Sequence, residues 1–204
     1  MIESLYTNFK DVFTTTWPMV FVSLVILVSF RLSYLYKNKT KVVIYKEIFL
    51  FFFAFYILCL FQIVTSTDIS VSYGNNFIPF AEISRYRLFS NLFMKNVVGN
   101  MLLFLPYGYF VGRYFAGNSK KLSIFLITLA SVAIEYTQLS IGRVFDVDDI
   151  LLNVIGGIIG YLLFLFSNRI FDNLPKFFRS VWFLNIVFII LFALFLIFLT
   201  ILLI

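Results

Sequence analysis

The sequence predicts an all-α polytopic bundle of about six membrane-crossing helices with both termini extracytoplasmic, and three observations carry that expectation. The composition is 62% apolar and only 13% charged, with a mean hydropathy of +0.99, whereas soluble domains are about half apolar and about a quarter charged. The apolar residues fall in runs of about 20, the number a helix needs to cross about 30 Å of hydrocarbon. The basic residues gather in alternate loops between those runs, where they set topology. Such a composition cannot clothe a water-exposed surface, so lipid is the solvent.

The spans fall at 17–36, 47–66, 96–116, 122–141, 150–169 and 181–204. The first is preceded by Glu3 and Asp11 with only Lys10 as a base. Lysines follow it instead of a small-residue cleavage site, so it reads as an uncleaved anchor. The third is punctuated by Gly99, Pro106, Gly108 and Gly112, which membrane helices tolerate when neighbours satisfy the freed backbone groups. The last has only Asn185 and Thr200 as polar interruptions. Four units follow: a hairpin of two spans over 1–66, an outer loop with an interfacial segment over 67–95, a three-span core over 96–169, and a cytoplasmic link with the last span over 170–204.

Orientation rests on Lys and Arg. Arg31, Lys37, Lys39, Lys41 and Lys46 end the first span and follow it; Arg113, Lys120 and Lys121 follow the third; Arg169, Lys176 and Arg179 follow the fifth. These are eleven of the sixteen bases. Lys10, Arg85, Arg87, Lys95 and Arg143 fall on the other side, so the N-terminus is expected outside. A net charge of +6 then reflects topology, and a nucleic-acid partner is not implied. Histidine is absent, which removes the commonest near-neutral base and zinc ligand. The single Cys59 lies in an apolar run and forms no framework.

The acids show the opposite bias. Glu3, Asp11, Asp68, Glu82, Asp146, Asp148 and Asp149 fall outside, against Glu47 and Asp172 inside. Three helix faces carry polar groups at spacings of three, four and seven: Asn96, Asn100 and Tyr107 on the third span; Thr128, Ser131, Glu135 and Gln138 on the fourth; Asp146, Asp149 and Asn153, leading into Gly156 and Gly160, on the fifth. Polar groups facing lipid are costly, so the stripes should face one another. The expected result is an outward-opening polar pocket, with Arg143 and the three aspartates at its mouth. Gly156, Gly157 and Gly160 read as packing positions. Glu135, an ionisable group within the membrane, is a functional candidate by default; the competing role is a structural ion pair with Arg143. Asp146, Asp148 and Asp149 suit a hard divalent cation, though not in EF-hand spacing. In the outer loop, Ile83, Tyr86, Phe89 and Phe93 have helical spacing and suggest a helix along the headgroups or an ordinary packing helix.

Several stretches together resemble the VanZ-like family of bacterial membrane proteins. They are Asn76-Phe77-Ile78-Pro79-Phe80, Asn96-Val97-Val98-Gly99-Asn100, and Leu103-Phe104-Leu105-Pro106-Tyr107-Gly108. Ile134-Glu135-Tyr136-Thr137-Gln138, Arg143-Val144-Phe145-Asp146-Val147-Asp148-Asp149 and Asn153-Val154-Ile155-Gly156-Gly157 with Gly160 complete the set. The resemblance covers about residues 75–165. It implies a cell-envelope protein of the bacterial plasma membrane, in a family whose founding member is associated with teicoplanin resistance. It also implies that Asn100, Glu135, Gln138, Arg143, Asp146, Asp149 and Asn153 belong to a shared polar set.

Four functions remain open at the level of sequence, one of them a passive scaffold for other envelope proteins, on which substitutions in the pocket would be silent. The first is a non-enzymatic protein engaging an envelope lipid or lipid-linked precursor at the outer leaflet. Arg143 holds its phosphate, Asn96, Asn100, Gln138 and Asn153 bind polar headgroup atoms, and Glu135 orients Arg143. The second is a metal-assisted enzyme acting on a lipid phosphate, with Glu135 as base and a divalent cation on Asp146, Asp148 and Asp149. The third is a lipid transporter, for which homo-oligomerisation would compensate for the small number of helices.

Overall fold

The computed structural model describes residues 2–65, 75–81 and 83–203. Residues 67–74 of the expected outer loop, including Asp68, and Glu82 lie outside the described residues, as do the side chains of Glu3, Lys10 and Asp11. Among the described residues every extended element is helical; one isolated parallel bridge joins Asn76 to Asp146. The helices are α1 (Ile2–Lys37), α2 (Ile44–Thr65), α3 (91–116), α4 (Lys120–Ser140), α5 (Val147–Asn173) and α6 (Val181–Leu203).

Five of the six expected spans are helices long and apolar enough to cross a membrane: Trp17–Lys37, Ile44–Thr65, Lys120–Ser140, Val147–Asn173 and Val181–Ile201. The chain is a multi-pass membrane protein. The third expected span has a different form. α3 is helical throughout, but regular α geometry holds only over Asn91–Phe93 and Gly99–Val111, and π-helical turns occupy Met94–Val98 and Gly112–Ala116. Pro106 withdraws one backbone donor inside the regular stretch, and the wider turns on either side interrupt the usual ladder.

The chain divides into two compact units, Met1–Ile63 with Asn173–Ile204, and Val64–Asp172. In the first, Arg31 and Glu47 form a two-pronged ion pair across the α1–α2 hairpin, with Nε to Oε2 at 2.9 Å and Nη2 to Oε1 at 3.0 Å. Phenylalanines interlock α2 with α6: Phe51 meets Phe192 edge-on at 5.2 Å, and Phe52 and Phe55 clasp Phe195 at 5.1 and 5.0 Å. Asn185, a polar break in the most apolar helix, accepts the Tyr45 N–H through Oδ1 at 3.0 Å. It thus supplies from another helix the cap that the start of α2 lacks locally. Asn185→Leu is expected to cost about 1 kcal/mol, the usual value of a lost N-terminal cap, read as a lower melting temperature in detergent.

The second unit is a three-helix core. Phe104, Val111, Ala116, Ile127, Tyr161 and Phe164 are its buried apolar centre. Its tightest contacts are made by glycines. A Cβ on Gly108 would enter the Gly157 carbonyl, one on Gly156 the Met101 carbonyl, and one on Gly160 the Leu105 carbonyl. α3 and α5 therefore meet backbone against backbone, the close approach that small residues allow between membrane helices. On α4 the buried positions Ser123, Ile127, Ser131 and Glu135 recur every four residues, so one face of that helix closes the core.

The expected interfacial helix through Ile83, Tyr86, Phe89 and Phe93 does not form. Among the described residues between α2 and α3 there is one 3-10 turn, Ile83–Arg85. Phe89 adopts a left-handed backbone with φ 61°. Ser90 then caps the next helix, its hydroxyl accepting from Phe93 N at 3.1 Å. A capping serine and a positive φ stop a helix that side-chain spacing alone would continue.

Candidate functional site

The polar residues collect at one end of the three-helix core, where α3 begins, α4 ends and α5 begins. The organising element is the turn 141–146. Gly142 takes φ 86°, and Arg143 N donates back to the Gln138 carbonyl at 3.0 Å, which reverses the chain between α4 and α5. Asp146 then caps α5, its Oδ1 accepting from Asp148 N at 2.8 Å. Asp148 and Asp149 occupy the first turn of α5, where the helix dipole favours negative charge.

Glu135 is 1% exposed. Its Oε1 accepts the Asp146 N–H at 2.6 Å. With the Gln138 amide turned to satisfy both neighbours, Nε2 donates to Glu135 Oε2 at 3.1 Å and Oε1 accepts from Arg143 Nη1 at 3.0 Å. Nη1 also reaches the Val64 carbonyl at 3.5 Å. The direct Glu135–Arg143 ion pair weighed from the sequence is thus replaced by a relay, carboxylate to amide to guanidinium. Both oxygens of this buried carboxylate accept from protein donors, which anchors the turn.

Asn100 Nδ2 donates to Asp149 Oδ1, joining α3 to α5. Asn96 Nδ2 donates to the Tyr86 hydroxyl at 2.7 Å, joining α3 to the preceding segment. Asn153, 5% exposed one turn deeper on α5, stands outside this chain of bonds. Ser131 contributes a long bond of 3.4 Å to the Ile150 carbonyl.

The three aspartates turn to different partners. Asp146 Oδ1 also accepts from Asn76 Nδ2 at 2.8 Å. Asp148, 1% exposed, accepts the Phe80 N–H through Oδ1 and the Ile83 N–H through Oδ2 at 3.2 Å. Asp149 faces Asn100. Among the described residues no group of three or more acidic or thiol side chains is placed to hold a metal ion. The acid-rich pattern accepts backbone N–H groups at Asp146 and Asp148 and asparagine amides at Asp146 and Asp149. Asp148→Ala is expected to unpin residues 75–83 at a cost of about 1.5–3 kcal/mol, the range for hydrogen bonds to a charged acceptor. Faster amide exchange at Phe80 and Ile83, with the core still protected, is the measurement.

Asn75 and Asn76 were missed as site residues. Asn76 N donates to the Phe145 carbonyl at 2.8 Å and Val147 N to the Asn76 carbonyl at 3.1 Å, while Phe145 N donates to Asn75 Oδ1 at 3.1 Å. Phe77 stacks on Phe145 at 5.4 Å. The signal available in the sequence was local: an Asn two residues before the Ile78 N–H it accepts, just ahead of Pro79, is an Asx turn. Its partner is 70 residues away.

No curated protein and no solved structure shows significant similarity to the chain. The VanZ/LLP1 family profile matches residues 43–168, more than half of the chain, a range that includes the turn, the relay and the packing glycines described above. The chain belongs to the VanZ/LLP1 family.

Proposed function

We propose that this is a non-enzymatic protein of the bacterial plasma membrane that holds the phosphate of an envelope lipid or lipid-linked precursor at the outer leaflet. One observation carries the reading: the acceptors that position Arg143 are neutral, the Gln138 amide and the Val64 carbonyl. The guanidinium is fixed in place while its charge stays available for an anion. A planar fork of donors matches phosphate geometry, and bidentate pairs of this kind are among the stronger hydrogen bonds. The excess of bases in alternate loops supports placing this end outside, where envelope precursors are displayed. Occupying such a lipid would link the protein to glycopeptide resistance of the teicoplanin type, as the family resemblance suggests.

The test is lipid retention. Wild-type, Arg143→Ala and Arg143→Lys proteins are purified from bacterial membranes in mild detergent, and bound phospholipid is counted per protein by mass spectrometry. Arg143→Ala should lose retained phosphate-bearing lipid about tenfold, the equivalent of about 1.4 kcal/mol, and Arg143→Lys should fall between, because a point charge replaces the fork. Equal retention by all three contradicts the proposal.

A further inference from the structure

The segment between Asn75 and Ser90 presents an apolar surface that the core does not use. Phe77, Ile78, Phe80, Leu88, Phe89 and, at the start of α3, Leu92 are between 60% and 83% exposed. They lie outside the membrane-crossing helices, so the bilayer core does not account for them. Nor is the segment loosely placed. Asp148 grips the Phe80 and Ile83 amides, Asn76 is zipped to Phe145 and Val147, and Asn96 holds Tyr86. Polar anchors thus fix the backbone while the large side chains project away from it. Phe80 and Phe89 both have positive φ, 66° and 61°, an uncommon conformation for bulky residues that persists only when the surroundings impose it.

We propose that this segment is a lipid-seated platform, its apolar tips sunk to the headgroup–acyl boundary of an anionic leaflet. Two features select lipid as the occupant. The first is charge: Arg85, Arg87 and Lys95 are exposed beside the apolar tips, Glu82 is the one acid within 75–95, and the acids packed against the segment, Asp146 and Asp148, are turned onto Asn76 and the Phe80 and Ile83 amides. Apolar residues with basic neighbours are the composition of segments that insert shallowly and attract anionic headgroups. The second is continuity: Ser90 caps α3 directly, so the tips stand at the end of a helix of the apolar three-helix core. The stacked Phe77–Phe145 pair sets the platform beside the Arg143 turn, and a lipid seated there is already next to the guanidinium. The platform stands whether or not a phosphate occupies Arg143.

The experiment uses the full chain with Trp17→Phe and Trp182→Phe, which removes the two native tryptophans. Leu88→Trp or Phe89→Trp is then added as a single reporter, each in a protein retaining the parent melting temperature. In nanodiscs holding one protomer, a blue-shifted emission is expected, quenched severalfold more by bromine-labelled lipid than by aqueous acrylamide. Brominated phosphatidylglycerol should quench at least twofold more than brominated phosphatidylcholine, and Arg85→Gln with Arg87→Gln should abolish that preference. Dominant acrylamide quenching at both positions overturns the proposal. So does shielding seen only in discs holding two protomers, which assigns the surface to a second copy, and so does equal quenching by the two lipids.

Discussion

Gly108→Val is expected to prevent the three-helix core from assembling. The added carbons would enter the Gly157 carbonyl, and a peptide group inside a helix cannot rotate aside as a side chain can. Ordinary overpacking costs about 1–3 kcal/mol; here the obstruction is backbone, and the helices must separate along their length. The smaller change Gly160→Ala meets the Leu105 carbonyl in the same way and should also lower the melting temperature markedly. Gly99→Ala is the control. A Cβ there approaches only the Met94 carbonyl, at an ordinary 3.7 Å, and alanine improves helix propensity by about 1 kcal/mol. Thermal unfolding of the three variants in one detergent checks the ranking, and a Gly108→Val protein as stable as wild type would show that α3 and α5 do not meet there.

Glu135→Ala carries the second large effect. It leaves the Asp146 N–H without its acceptor and strips Gln138 Nε2 of its partner, both of which face a carboxylate that is itself 1% exposed. Buried donors left unmade cost about 1–3 kcal/mol each, so the turn 141–146 should loosen and Arg143 should lose its fixed position. Glu135→Gln separates charge from shape. One amide oxygen can still accept from Asp146, but the amide nitrogen now faces Gln138. That residue must turn its oxygen inward and its nitrogen toward the Arg143 guanidinium, setting donor against donor. The protein should fold, with a modest loss of stability and a large loss of lipid retention. Adding Gln138→Glu restores an acceptor for both neighbours but sets a charged partner on Arg143, so the double variant should regain stability without regaining lipid retention. Failure of that rescue, with each variant folded, would break the relay.

Much of this arrangement was legible in the sequence because its signals are local. A run of apolar residues has to be a helix in lipid, and the stripe Thr128, Ser131, Glu135 and Gln138 marks the face of α4 on which Ser131 and Glu135 are buried. Gly156, Gly157 and Gly160 announce close packing, and the end of the core that carries Glu135, Gln138 and Arg143 follows from where their stripes meet. The π turns bounding α3 were not legible, since punctuation by Gly and Pro does not say how the ladder is rearranged. The helix expected through Ile83 and Phe89 failed for a similar reason: side-chain spacing describes a face, but Ser90 and the Asp148 anchor decide the backbone. The sequence left a cation on the aspartates open as an alternative, because a carboxylate that accepts amide N–H groups and one that binds a cation have the same sequence appearance. Which role it takes depends on donors such as Phe80 N, 68 residues from Asp148. The cap that Asn185 gives Tyr45, across 140 residues, lay equally beyond any local pattern.

The most direct test of the phosphate site is an experimental structure in nanodiscs made from native bacterial lipid, at a resolution that separates headgroup from chain. Tetrahedral density should lie within about 3 Å of the Arg143 guanidinium nitrogens, the distance of a charge-assisted hydrogen bond, with Gln138 still between Arg143 and Glu135. An Arg143 guanidinium folded onto the Glu135 carboxylate, with no headgroup beside it, would contradict the account.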